Sequence, residues 1–161
     1  MEEMKDENSH WKDHASVDMK KEIMEYLEQK GYEVINVGTD STEAYCYAIS
    51  AYKVGRMVAA GQADCGILIC GTGVGIGMAA NKLRGIRCCI CSEPFTARLS
   101  KQHNNSNCLA FGSRVVGPEL AKMIVDEWLN ASFEGGRHQA RIDMIKEIEE
   151  TQHLAAAEDM P

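Results

Sequence analysis

Cys70 closes an apolar run, Gly66-Ile67-Leu68-Ile69-Cys70, and is followed at once by Gly71-Thr72-Gly73-Val74-Gly75-Ile76-Gly77. Glycines at alternate positions let a backbone approach a ligand closely and aim several N–H groups at it, and a following helix adds its positive end. The pattern is a cradle for negative charge with a thiol on its rim, where sulfur can serve as base or nucleophile. The plain alternative is a buried, inert cysteine beside a tight strand-to-helix turn, but such a turn rarely needs so many glycines. The dinucleotide fingerprint G-x-G-x-x-G fails in both registers, because Ile76 and Met78 stand where the third glycine belongs. The Walker pattern also fails, since no Gly-Lys-Ser/Thr follows.

Other chemistry-bearing residues lie downstream. His103, in Gln102-His103-Asn104-Asn105, is expected in a loop near the same edge of the sheet as Cys70, where an imidazole moves a proton near neutral pH. A capping or surface histidine is the equal alternative. Arg137 and Arg141 share a helical face beside His138, and with Arg114 they form the basic cluster that an acidic chain needs to hold a phosphate. Cys88, Cys89 and Cys91 hint at a metal, yet strand alternation sets Cys88 on the face opposite the other two, with no C-x-x-C pair. No metal site is expected.

The composition narrows the classes. The chain has 161 residues, enough for one domain, and its formal charge of −7 argues against generic binding to nucleic acid or an anionic membrane. No uncharged apolar run approaches a membrane span, and MEEMKDENSH is too polar for a signal peptide. Seven cysteines at irregular spacing read as reduced thiols in a cytoplasmic protein.

The elements that must position these groups alternate. Met19, Ile23, Tyr26 and Leu27 recur at helical spacing between Asp18, a candidate cap, and Gly31. A strand is expected at residues 32–36, then a helix carrying Ala51, Val54 and Val58 behind an Asp40–Glu43 capping box. Strands follow at residues 66–70, 86–91 and 107–111, with helices at 78–83, 94–102, from Pro118, and at 137–150. Such alternation implies a parallel sheet between helical layers, with ligands beyond the carboxyl ends of its strands. Residues 1–150 read as one domain and 151–161 as a frayed tail.

Several linked segments closely resemble the type B ribose-5-phosphate isomerases, a family that includes allose-6-phosphate and galactose-6-phosphate isomerases. They are residues 66–75, then Ala79-Ala80-Asn81-Lys82, Gly85-Ile86-Arg87, His103-Asn104, Gly112-Ser113-Arg114 and Glu134-Gly135-Gly136-Arg137-His138. The resemblance implies a three-layer α/β/α sandwich with a five-stranded parallel Rossmann-like sheet. It also implies a homodimer, or a dimer of dimers, whose active sites are shared between subunits. The activity implied is interconversion of phosphorylated aldoses and ketoses, here ribose 5-phosphate and ribulose 5-phosphate, without metal or cofactor. By resemblance Cys70 is the base, the amides of Gly71, Gly73, Val74 and Gly75 hold the enediolate oxygen, and Thr72 assists at the hydroxyls. His103 with Asp13 is the ring-opening group, Asn104 and Tyr47 contact the sugar, and His14, Arg114, Arg137 and Arg141 contact the phosphate.

The chain departs from the family pattern twice. The family's first strand is apolar, whereas the matching stretch here, Glu7-Asn8-Ser9-His10-Trp11-Lys12, is polar, so that strand is expected to be degraded. Around Tyr47 the chain has Cys46 and Ala48 where relatives often carry Asp and Pro, which bears on sugar choice. The rivals to a pentose phosphate isomerase are a hexose phosphate isomerase and a non-catalytic sugar-phosphate-binding subunit. Simple binding does not need a thiol base beside a histidine.

Overall fold

The computed structural model describes residues 14–41 and 45–157, with side chains in the first helix from residue 16 onward. The helical spacing of Met19, Ile23 and Leu27 is realised in α1, His14–Gln29, where all three are buried on one stripe. The helix starts ahead of Asp18, so that residue is an exposed position inside it and not its cap.

Residues 32–36 form no strand, contrary to the periodicity. Extended backbone becomes a strand only when a neighbour takes up its N–H and C=O groups. Among the described residues the facing edge of the sheet is unpaired. The segment instead walls a cavity of 440 Å³, shared with α1 and that sheet edge and lined by Ile23, Leu27, Val34, Ile67 and Ile69 among others. The expected capping box is not realised either. Asp40 is taken by Lys20 and Asn36, Glu43 lies outside the described residues, and α2, Tyr47–Ala59, begins with Cys46 at its cap position.

Three parallel strands make up the sheet among the described residues: β1, Gly66–Cys70; β2, Cys88–Ile90; and β3, Cys108–Gly112, in the order β1-β3-β2. The expected five are not seen among the described residues. Residues 32–36 supply none of them, and the strand expected on the polar N-terminal stretch lies outside the described residues. Gly66 stands opposite Cys108 and Cys70 opposite Gly112, so β1 and β3 end together.

The remaining helices are α3, Val74–Ala80; α4, Pro94–Asn104; α5, Pro118–Leu129; and α6, Arg137–Thr151, followed by a 3-10 turn at Ala155–Ala157. The Glu93 carboxylate caps α4 by accepting the Thr96 N–H at 2.7 Å, and Pro94 occupies the first turn, where no N–H is missed. Alternation along the fully buried β3 divides the core. Leu109 and Phe111 pack with Met19, Ile23, Ala97, Ile124, Val125 and Trp128 from α1, α4 and α5. Cys108 and Ala110 pack with Ala51, Ile76 and Ala80 from α2 and α3. Cys88 joins this second cluster while Cys89 and Cys91 join the first, as strand alternation requires. The sheet is thus covered on both faces, which is why its strands read as continuous apolar runs. No helix among the described residues is long and apolar enough to cross a membrane.

Candidate active site

The first cluster of functional residues lies at the carboxyl ends of β1 and β3. Cys70 is the last residue of β1, and its Sγ accepts the backbone N–H of Gly73 at 3.2 Å. Thr72 Oγ1 accepts the Val74 N–H at 3.4 Å, so its hydroxyl proton is directed elsewhere. The N–H groups of Gly71, Thr72 and Gly75 have no acceptor among the described residues, and they form the open side of the loop.

Close packing makes glycine necessary here. Gly73 holds φ at +78°, and a Cβ there would stand 2.6 Å from the Phe111 carbonyl carbon. A Cβ on Gly112 would stand 2.5 Å from Thr72 Cα. The loop is thereby pressed against the end of β3, and further bonds hold it there. Ser113 N–H donates to the Cys70 carbonyl at 2.9 Å and Arg114 N–H to the Gly71 carbonyl at 3.1 Å.

Tyr47, the first residue of α2, closes the other side: a Cβ on Gly75 would meet its ring carbon Cζ at 2.8 Å. Arg114, exposed, stands at the same sheet edge. The N-terminal end of α1 arrives here too, through a 2.7 Å hydrogen bond between the Ser16 and Ser113 hydroxyls. His14 enters only as the first backbone position of α1, and Asp13 lies outside the described residues. Three of the other thiols are packed into the core and carry no such loop. Burial pushes those of Cys65, Cys88 and Cys108 up, the last to about 12, which keeps them protonated and unreactive.

The second cluster contradicts the expectation that His103 shares the Cys70 edge. His103 and Asn104 are not loop residues but the last two positions of α4, which descends from the carboxyl end of β2 and delivers them beside the beginning of β3. The reason is topology: a helix that joins two parallel strands leaves the carboxyl end of one and must return to the amino end of the next, and α4 makes that return as far as Asn105, in the left-handed conformation. The five residues of β3 therefore separate the two clusters by roughly 13 Å or more at about 3.3 Å per residue.

At this lower edge the His103 and His138 rings stack, with centroids 4.3 Å apart and planes 5° from parallel. Glu134 Oε2 lies 3.8 Å from His103 Nε2 and 3.6 Å from His138 Nε2. Glu134 N–H donates to the Gln102 carbonyl at 2.9 Å, tying the approach to α6 onto the end of α4. Arg137 and Arg141 are exposed on the first turns of α6 around the buried His138. Burial first, and then the neighbouring His103 and the two arginines, hold His138 below the ordinary imidazole range. Glu134 was not singled out from the sequence. Its spacing of four from His138 was the available signal.

The structure thus brings Cys70, the glycine loop, Thr72, Tyr47 and Arg114 together at one edge. It gathers His103, Asn104, Arg137 and Arg141 at the other. One edge offers a thiol beside amides that have no acceptor among the described residues, and the other an imidazole beside guanidinium groups.

Residues 11–145 match the family model described as Ribose/Galactose Isomerase. Ribose-5-phosphate isomerase B of Escherichia coli is 58% identical over 138 residues, which cover 86% of this chain and 93% of that protein. Among solved structures, ribose-5-phosphate isomerase B of Clostridium thermocellum superposes with a TM-score of 0.85 at 48% identity, covering 87% of this chain and 95% of that one. The enzyme of Mycoplasma genitalium with bound ribulose-5-phosphate superposes with a TM-score of 0.82 at 42% identity, covering 86% and 93%.

Proposed function

The chain belongs to the ribose/galactose isomerase family, and from that membership we propose that it interconverts ribose 5-phosphate and ribulose 5-phosphate with the Cys70 sulfur as the base. The supporting observation is the Gly73 N–H held on Cys70 Sγ beside the open amides of Gly71, Thr72 and Gly75.

The chemistry follows from where charge develops. Cys70 removes the proton on C2 of the open-chain aldose, the electron pair moves toward the C1 oxygen, and an enediolate forms. The C2 hydroxyl proton passes to the C1 oxygen, and Cys70 returns its proton to C1 as the C2 oxygen becomes the carbonyl. Nothing is oxidised or reduced overall. Donors already aimed at the developing oxyanion lower the barrier without reorganising, and one such donor is worth about 3 kcal/mol. The Thr72 hydroxyl, whose oxygen already accepts the Val74 N–H, is free to donate to a sugar oxygen. Tyr47 walls the sugar beside Gly75.

Ring opening is assigned to His103 together with Asp13, Asn104 contacts the sugar, and His14, Arg114, Arg137 and Arg141 hold the phosphate. The phosphate is a remote handle whose binding positions the reacting carbons. Because the sheet separates Cys70 from His103, one chain does not bring the set together. The complete site is assigned to a homodimer in which one copy contributes the Cys70 edge and the other the His103 edge, the same surface meeting in both directions. No resident metal or cofactor is assigned a role.

The test is an assay of the purified protein on ribose 5-phosphate, allose 6-phosphate and galactose 6-phosphate. Expected is turnover of the pentose phosphate that persists in chelator. In Cys70→Ala, kcat should fall by roughly 100- to 10,000-fold, the usual contribution of a positioned base, with KM nearly unchanged. Unaltered turnover in that variant would remove Cys70 from the mechanism, and a preference for a hexose phosphate would reassign the substrate.

A further inference from the structure

Among the described residues, His138 Nδ1 is a fully buried side-chain nitrogen with no hydrogen-bond partner, on a side chain that is 5% exposed. The ring faces His103, whose side chain is 35% exposed, so the stack has a buried plate and an open one. Each comes from a different element, His103 from the last turn of α4 and His138 from the first turn of α6. Their geometry is set by the packing of those two helices and by the Glu134 N–H bond to Gln102.

One atom each from His103, Glu134 and His138 lies within 4.8 Å of the others, a spacing that invites a metal ion. The stack argues against it. Rings 5° from parallel keep their nitrogen lone pairs in separate planes, whereas a shared zinc needs both to converge on it at about 2.1 Å. A metal on His138 Nε2 would also drive that ring's proton onto Nδ1, where no acceptor stands. A carboxylate at the Nε2 edge of two stacked rings suits orientation and proton handling.

We propose that His138 is a positioning residue for His103: its buried ring is the flat plate that holds the His103 imidazole in one orientation toward the sugar, with the Glu134 carboxylate spanning the Nε2 edges of both. This rests on the assignment of His103 to ring opening. That step moves one proton onto the ring oxygen and takes one from the anomeric hydroxyl, so the imidazole ends as it began. Its rate depends on where the ring nitrogen sits, and a misplacement of about 1 Å can cost 100-fold. The groups facing His138 are His103 from α4 and Glu134, Arg137 and Arg141 from α6 and its approach. Burial, His103 and the two arginines all disfavour a proton on His138, which suits that ring to act as a flat support.

The experiment compares two substitutions of similar bulk, His138→Phe, which keeps a flat ring, and His138→Leu, which does not, with His103→Ala alongside. Isomerisation of ribose 5-phosphate is measured from pH 6 to 9, separating kcat from KM, with thermal unfolding as the folding control. Expected is a kcat in His138→Leu lower by roughly 10- to 100-fold at nearly constant KM, and a kcat in His138→Phe within about threefold of the parent. Equal kcat in the folded Leu and Phe variants, whether both high or both low, would overturn the proposal. If His103→Ala is slow while the two His138 variants are alike, only the role of His138 fails. If His103→Ala turns over at the parent rate, the ring-opening assignment fails and this inference with it.

Discussion

The backbone N–H of Gly73 points at the Sγ of Cys70 from 3.2 Å, three residues along the chain, because the loop between them is pressed onto the end of β3. The same loop that seats the donor on the sulfur leaves the N–H groups of Gly71, Thr72 and Gly75 without an acceptor among the described residues. Loop shape and chemistry are therefore one property, and a substitution that disturbs the packing disturbs the site.

Gly73→Ala makes the sharpest test of that coupling. The residue holds φ at +78°, and its Cβ would collide with Phe111 backbone, which cannot move without moving β3. A loss of about 2 kcal/mol or more is expected in urea denaturation, together with most of the activity. Gly61→Ala, at φ of +69° but with open space around it, should cost only about 1 kcal/mol and leave turnover intact.

Division of the site between two copies predicts complementation. Cys70→Ala and His103→Ala, each inactive alone, should regain activity when mixed and allowed to exchange subunits. Half of the re-formed dimers are then hybrids with one intact site in two, giving about a quarter of the parent rate. A mixture as inactive as its components would place both residues in one chain's site, against the separation seen here.

Acid should weaken the fold through His138. Its proton affinity in the folded protein lies below the ordinary value of 6.5, chiefly because the ring is buried. The unfolded chain therefore takes up the proton first as pH falls, and stability present above pH 6.5 is lost below it. Urea unfolding followed between pH 7.5 and 5.5 should show this decline, and the His138→Phe protein should lack that part of it.

Trp128→Phe tests the frame behind the lower edge. The indole Nε1–H donates to Ser106 Oγ at 2.7 Å, and that oxygen also meets Ser100 Oγ at 2.8 Å, which ties α5 to the last turns of α4 and the start of β3. Both the indole and Ser106 are buried. Removing the donor and part of the ring should cost about 2–3 kcal/mol in denaturant while KM changes little.

The sequence by itself determined the parallel α/β character, because buried strands such as β3 must read as unbroken apolar runs and their flanking helices must carry apolar stripes. It also singled out the Cys70 loop, since consecutive residues there are neighbours whatever the rest of the chain does. Linear pattern did not reveal that His103 stands at the far end of the sheet from Cys70. That follows once β2 and β3 are parallel neighbours joined through α4, because the helix must carry the chain back to the amino edge of the sheet before β3 begins. Nor did it show that residues 32–36 would go unpaired, because a strand exists only through the neighbour that bonds it. Only the tertiary structure set the His103 ring flat on His138, since two helices far apart in the chain must pack before their side chains share a plane.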